Sequence, residues 1–393
     1  MRDADVLVVG AGPAGSAAAA HLAALGWRVV LVDRALFPRP KPCGDYCNPG
    51  AIRLLTDGPE TLPVLDGAGA VTSMSVFAQD GSCFRGAFPS GYGALIRRED
   101  LDLSLLRRAQ RRGVEVVEGF RVDAVTVGDR VAVRQTPSGR TLGARLLIAC
   151  DGMHSLIARR LGWRRAPAGD RFAIGAYFSG VPGPPAGELH LGPGLYGGVA
   201  RFGDGTANAC LALPRRIFHR RSAEQAFAFG LAGLPVLAET LRGWRRESAF
   251  RVAGPLGFSA HPAVADRLLL AGDAAGQVEP LTGQGVSFAL RSALFAAEAA
   301  DRALRSGDCS AAALRRYERQ RAAWFGPRIR LLKTVCALAL HPRAAPALVR
   351  RLAGNQESAR RLLGATGDVL DPRAVLSIRF LLGLLLGTDA HPA

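Results

Sequence analysis

Lysine is nearly absent from this 393-residue chain, occurring only as Lys41 and Lys333. Arginine therefore carries almost all of a formal net charge of +17. Such an excess favours anionic partners: phosphates, dinucleotides or a membrane surface. Tryptophan is scarce, at Trp27, Trp163, Trp244 and Trp324. No basic run is interleaved with stacking aromatics, which argues against nucleic-acid binding. The cysteines Cys43, Cys47, Cys83, Cys150, Cys210, Cys309 and Cys336 form no CxxC or Cys/His cluster of zinc spacing, so no metal site is expected. Their odd number, without a secretory pattern, points to reduced thiols in a cytoplasm. The chain enters a strand by residue 5, which leaves no signal peptide to expect. No run of 18 apolar residues occurs, so nothing is predicted to span a bilayer. No histidine sits in a metal or triad pattern, and no internal repeat is visible.

What remains is an ordinary globular composition, 49% hydrophobic and 21% charged. Residues Asp5–Val9 read as a buried strand, Ser16–Leu25 as an alanine-rich helix stopped by Gly26, and Arg28–Val32 as a second strand. This is a βαβ start. Segments 71–77 and 82–88 alternate like a hairpin about Asp80-Gly81. Helical periodicity covers 99–112, strands are expected at 114–118, 121–127, 130–135 and 145–149, and a helix over 153–161. From 170 to 260 short alternating strands appear at 172–178, 186–191, 196–202 and 206–213, with a helical insert near 222–242. A buried strand returns at 267–271, a long helix follows at 284–306, and residues after 310 read as helices. These patterns predict a discontinuous nucleotide-binding domain (1–70, 90–165 and 262–310). A β-rich substrate domain (71–89 and 166–261) and a C-terminal helical region (311–393) accompany it.

Three separated motifs carry chemistry. The first is GxGxxG at Gly10, Gly12 and Gly15, lying between strand and helix. Gly10 permits the tight turn, Gly12 lets backbone N–H groups reach a pyrophosphate, and Gly15 lets helix and strand approach. Ala14 lies inside this turn. Asp33 ends the second strand, followed by Arg34, and would accept hydrogen bonds from an adenosine ribose. The second motif is Cys150-Asp151-Gly152. The third is Gly272-Asp273-Ala274-Ala275-Gly276, continued by Pro280 and Thr282-Gly283-Gln284-Gly285. Gly192, Gly194 and Gly197 also spell GxGxxG, but a strand-like segment follows them, so they are expected in a β-turn.

In order and spacing these motifs resemble the FAD-dependent group A monooxygenases and their relatives, the geranylgeranyl reductases, over roughly residues 4–300. The resemblance implies an α/β, Rossmann-type (GR2-like) FAD-binding domain with a β-rich substrate domain and C-terminal helices. It implies that Asp273 holds the ribityl chain, and that Gly283 and Gly285 open a helix facing the flavin pyrimidine end. It also implies that Asp151 and Gly152 serve FAD and NAD(P)H, and that Arg98, or else Arg97, contacts FAD. Pro38-Arg39-Pro40-Lys41-Pro42-Cys43-Gly44-Asp45 resembles the reductases' K-x-C-G-D loop, which borders the flavin. Cys43 is accordingly either an active-site residue or a buried, inert thiol. Tyr46-Cys47-Asn48-Pro49-Gly50 departs from the reductase pattern. Leu195–Phe202 partly resembles the reductases' Y-x-W-x-F-P strand. Tyr46, Tyr196 and Phe202 are therefore candidates to line a substrate cavity, as is His190 from its place in the β-rich domain, though Tyr196 and Phe202 also suit ordinary core.

The resemblance implies flavin reduction by NAD(P)H and hydride transfer to a C=C bond of a hydrophobic small molecule. The alternative is an NAD(P)H- and O2-dependent monooxygenase acting on an aromatic or prenylated metabolite, and a third reading is a flavin electron carrier. No second nucleotide-binding unit is visible, so NAD(P)H binds transiently or a separate donor supplies electrons. The apolar stretches Leu331–Leu340 and Phe380–Leu386 read as a helical cap, with membrane-surface contact as the alternative.

Overall fold

The computed structural model describes residues 4–57, 60–136, 138–165, 170–377 and 380. Most of the stretch 380–386 therefore lies outside the described residues. Ala4–Val9 is the hub of the first sheet, apolar and buried almost throughout because strands cover both edges, helices cover the Val6 and Val8 face, and a second apolar cluster covers the Leu7 and Val9 face. It pairs in parallel with Val29–Val32 and with Thr141–Ala149. The parallel array extends to Glu115–Val117 on one side and Leu268–Leu270 on the other. Val122–Val127 and Val131–Gln135 join as antiparallel additions beside Thr141–Ala149. Chain order reverses between Ala4–Val9 and Thr141–Ala149, which makes this the switch point where doubly wound sheets bind ligands.

Register brings the three motifs together. Val9 lies opposite both Val32 and Ala149, and Ala149 lies opposite Leu270. The residues that follow each strand, Gly10, Asp33, Cys150-Asp151 and Gly272-Asp273, therefore leave the sheet at one edge. Helices Pro13–Ala24 and Gly285–Ser306 pack on each other against it. Their contact is built from alanines, including Ala17–Ala20, Ala293, Ala296 and Ala297, whose small side chains let the helices lie close.

The second sheet is mostly antiparallel. Its path runs Arg245–Arg246, Arg171–Ser179, Thr206–Pro214, Leu195–Arg201, Ala186–Gly192, Ser73–Phe77 and Cys83–Ala87. The 73–87 hairpin thus belongs to this sheet, through a parallel pairing of Ser73–Phe77 with Ala186–Gly192. The second GxGxxG is a hairpin turn: Gly192 pairs with Leu195, and Gly194 takes φ +74°. Two expected helices are shorter. Over 153–161 only Leu156–Arg160 is helical, because Ser155 caps it, its Oγ accepting from Ala158 N at 2.9 Å. The insert splits into Ala223–Ala232 and Pro235–Thr240 at Gly233 and Pro235. A small sheet of Tyr46–Cys47, Gly93–Leu95 and Gly69–Val71 carries no alternation long enough to read from sequence. Helices Ala311–Ala339, Ala344–Gly354 and Gln356–Thr366 close over the second sheet and share a hydrophobic cluster with it. No helix among the described residues is long and apolar enough to cross a membrane.

Candidate functional site

The strand ends open into one continuous cavity of about 1900 Å³. Gly10 takes φ +100°, and a Cβ there would lie 2.3 Å from the Cys150 carbonyl oxygen, so glycine alone fits. A Cβ on Gly15 would meet the Gly10 carbonyl oxygen at 1.8 Å; this glycine seats helix against strand rather than lining the cavity. Gly12 differs: only Arg39 Nη2, at 3.5 Å, comes near its missing side chain, and its backbone faces the cavity with Ala14. Asp33 is fixed by the turn it serves, Oδ2 accepting from Ala11 N at 2.7 Å and Oδ1 from Ala35 N at 2.8 Å. Each carboxylate oxygen keeps a lone pair for a ligand. Arg34 lines the same end.

The other motifs complete the wall. Asp151 Oδ2 accepts from Leu156 N at 2.7 Å, while its Oδ1 is buried without a partner among the described residues. Burial pushes the Asp151 carboxyl above its ordinary range, against the hydrogen bonds it accepts. Gly152 and Gly272 take positive φ, and a Cβ on Gly272 would lie 2.7 Å from Ala14 Cβ, so the first and third motifs touch. Asp273 faces Lys41 Nζ at 4.0 Å. Burial pushes the Lys41 ammonium below its usual range, with Asp273 pulling the other way. Pro280, Gly283 and Gly285 line the cavity beside Tyr46, whose ring lies 2.5 Å from where a Gly283 Cβ would sit. Gly285 begins a 22-residue helix with nothing within 4 Å of its missing side chain, so N–H groups and a favourable dipole face the cavity.

The loop before Tyr46 is held from behind. Arg98 is buried and forks onto Asp102, Nη2 lying 2.9 Å from Oδ1 and 3.0 Å from Oδ2. Arg39 reaches the same carboxylate at 3.3 Å. Arg98, not Arg97, lines the cavity; Arg97 turns outward to Asp204 and Thr206. The Cys43 carbonyl accepts from Asn208 Nδ2 at 2.9 Å and Cys210 Sγ at 3.2 Å. Burial pushes the Cys43 thiol up, so at neutral pH it is a thiol rather than a nucleophilic thiolate. Cys43 and Cys47 are both free.

Past Tyr46 the cavity becomes an apolar chamber. Met74, Phe84 and Phe88 line one side, Leu189, Leu191 and Tyr196 a second, and Leu332, Val349 and Leu363 a third. The glycine turn, the Asp33 carboxylate, the unpaired Asp151 oxygen and the second helix N-terminus line one cavity whose chemistry would accept an elongated dinucleotide.

Residues 3–177 match the family described as FAD binding domain. The chain is 31% identical over 318 residues to a menaquinone reductase of Mycobacterium tuberculosis, covering 76% of each chain. It is 31% identical over 333 residues to a digeranylgeranylglycerophospholipid reductase of Methanothermobacter thermautotrophicus, covering 80% of this chain and 82% of that one. The chain belongs to this family of FAD-dependent reductases. Its cofactor is FAD and it is an oxidoreductase. In fold it matches a flavin-dependent brominase (TM-score 0.81, 19% identity, 94% of each chain). A flavoprotein/dehydrogenase from Cytophaga hutchinsonii is similar (TM-score 0.80, 18% identity, 98% of this chain and 100% of that one).

Besides Gly15, three candidate site residues of this flavoprotein lie off the cavity wall. His190 is buried, stacks on Phe77 at 4.8 Å and reaches Glu188 at 3.2 Å. Phe202 packs under the Arg97 guanidinium at 4.7 Å. Gln284 turns inward and donates to Asp368 Oδ1 at 3.1 Å. Asp368 is a buried hub that also accepts from Asn48, Ser287 and Arg328, tying the C-terminal helices to the start of the Gly285 helix. Arg39, Lys41 and Asp45 belong to the site's framework and were legible only as parts of the loop motif.

Asp45 sits behind that loop with φ +54° and accepts from Tyr177 Oη at 2.6 Å, Asn208 Nδ2 at 2.6 Å and Arg98 N at 3.2 Å. Burial outweighs these bonds and raises its carboxyl from 3.8 to about 6. The folded state therefore holds this proton more tightly than the unfolded chain does. Its contribution to stability is full below about pH 4 and is lost as pH rises towards 6, by on the order of 3 kcal/mol. Chemical denaturation between pH 4 and 7 should show wild type losing that much relative to Asp45→Asn; parallel profiles would contradict the assignment.

Proposed function

We propose that this flavoprotein reduces a carbon–carbon double bond in a prenylated small molecule. Bound FAD supplies two-electron hydride transfer, fed by NAD(P)H that binds transiently or by a separate donor. The chain's own residues place it. Gly10, Gly12 and the start of Pro13–Ala24 take the pyrophosphate, Asp33 and Arg34 the adenosine end, and Asp151, Gly152 and Arg98 the middle of the cofactor. Asp273 takes the ribityl chain. The N–H groups opening at Gly283 and Gly285 stabilise the charge that a reduced pyrimidine ring carries. Cys43 and Gly44 shape the flavin face and Tyr46 begins the substrate wall. Segments 1–70, 90–165 and 262–310 act as the cofactor half, 71–89 and 166–261 as the substrate wall, and 311–393 as its cap.

The single observation that carries this reading is the unbroken cavity, which runs from the glycine turn into a chamber walled by Met74, Phe88, Leu189, Leu332 and Leu363. A long hydrocarbon tail fits such a wall, and relatives of about one-third identity are named as reductases of menaquinone and of a geranylgeranyl lipid. The outer face of Ala311–Ala339 exposes Arg315, Arg316, Arg319, Arg330 and Lys333, which suits contact with an anionic lipid surface. The test is anaerobic reduction of the holoprotein with NADH or NADPH, followed by a prenylated acceptor. Reoxidation of the flavin with a product two hydrogens heavier is expected. Reoxidation only on adding O2, with a product one oxygen heavier, would establish the monooxygenase alternative instead.

A further inference from the structure

Beside Pro280 the apolar wall is interrupted by three polar side chains from distant parts of the chain. Arg171 begins the strand Arg171–Ser179 of the second sheet, Tyr196 lies two strands away on Leu195–Arg201, and Glu279 directly precedes Pro280. Arg171 Nε and Nη2 donate to the two Glu279 oxygens at 3.2 Å each, and Tyr196 Oη donates to Oε1 at 2.9 Å. All three line the cavity, and Tyr196 shares a hydrophobic cluster with Leu256, Phe258, Leu281 and Cys336. An ion pair placed among such neighbours costs desolvation that a hydrophobic clasp of the same size would avoid.

Donor accounting shows what the pair leaves available. A guanidinium carries five N–H donors. The fork onto Glu279 engages two nitrogens, and Arg171 has no other side-chain acceptor among the described residues. Its remaining N–H groups belong to the cavity it lines. Glu279 cancels the charge, so the cluster offers donors without a net positive field. A diphosphate arriving there would be repelled by the carboxylate that holds the guanidinium, whereas an uncharged carbonyl or hydroxyl oxygen accepts from the remaining N–H groups without that charge repulsion.

We propose that Arg171, held in place by Glu279 and Tyr196, is the polar anchor that selects a prenylated ligand with an uncharged, oxygen-bearing ring over an isoprenoid diphosphate. This rests on the reading of the chamber as a prenyl site. The test measures binding to the oxidised holoprotein from the perturbation of the flavin spectrum, without turnover. The probes are a geranylgeranylated naphthoquinone, geranylgeranyl diphosphate and the corresponding hydrocarbon lacking a head. The quinone should bind at least about tenfold more tightly than the diphosphate. Arg171→Gln should weaken the quinone by roughly 10–100-fold and leave the headless hydrocarbon within about twofold. Glu279→Gln, which keeps the shape and the acceptor for Tyr196 but frees the arginine charge, should move the preference at least about tenfold towards the diphosphate. Equal or tighter diphosphate binding by wild type would overturn the anchor. So would quinone binding untouched by Arg171→Gln, or no gain for the diphosphate in Glu279→Gln. Binding of the hydrocarbon with no preference among heads overturns the anchor alone; no binding by any probe overturns the prenyl reading with it.

Discussion

Gly12→Val should yield protein that is folded and colourless. The Gly12 backbone, at φ −72° and ψ −173°, is extended and open to any residue. A side chain there meets only the end of Arg39, at an ordinary 3.5 Å, so the protein without cofactor loses little. The same side chain fills the place where a pyrophosphate would approach the N–H groups of Pro13–Ala24. Losing two hydrogen bonds to a charged group costs about 3–6 kcal/mol, at least 100-fold in FAD affinity. Circular dichroism and the melting temperature of the stripped protein should match wild type, while fluorescence titration should detect no tight FAD site. Gly15→Ala is the contrasting case. Its Cβ would collide with the Gly10 carbonyl at 1.8 Å, so folding itself should fail. A yellow Gly12→Val protein would remove the pyrophosphate from this turn.

Asp102→Ala should be among the most damaging single changes to stability. The carboxylate is fully buried and shared by Arg98 and Arg39. Its removal strands the buried Arg98 guanidinium without a counter-charge, a loss of about 3–5 kcal/mol. The expected drop in melting temperature is about 4–6 °C. Asp102→Asn, which keeps an acceptor, should recover part of it. Because both arginines line the cavity, FAD affinity should fall as well. A variant melting within about 1 °C of wild type would show that water reaches Arg98.

How much of this was legible in the sequence depended on distance along the chain. The glycine turn and its flanking strands carry their own signals: an apolar run, glycines where a side chain collides, and an acid at the next strand end. The convergence of Asp151 and Asp273 could be expected from motif order alone. Asp102 could not: in Arg98-Glu99-Asp100-Leu101-Asp102 it reads as one more helix-surface charge, and only the packing of loop 38–45 over it creates the burial. Asp45 meets Asn208 across 163 residues, and Asn48 meets Asp368 across 320. No local pattern encodes such pairings. His190 and Phe202 failed as wall residues for a related reason: alternation assigns faces along a strand, but which face meets the cavity depends on the distant elements that pack on the sheet.

The parallel sheet has a consequence for the order of events during synthesis. Ala4–Val9 waits for Thr141–Ala149, which in turn waits for Leu268–Leu270. The second helix N-terminus begins only at Gly285. A nascent chain that stops short of this point holds the Gly10 and Asp33 end of its cavity with nothing to close the other end. Vitamin-derived cofactor can therefore be captured only after Gly285 and the helix that follows it have emerged. Long-range pairing of this kind folds slowly and leaves apolar edges uncovered meanwhile. Flavin supply during expression should consequently govern how much soluble protein accumulates, and not only how yellow it is.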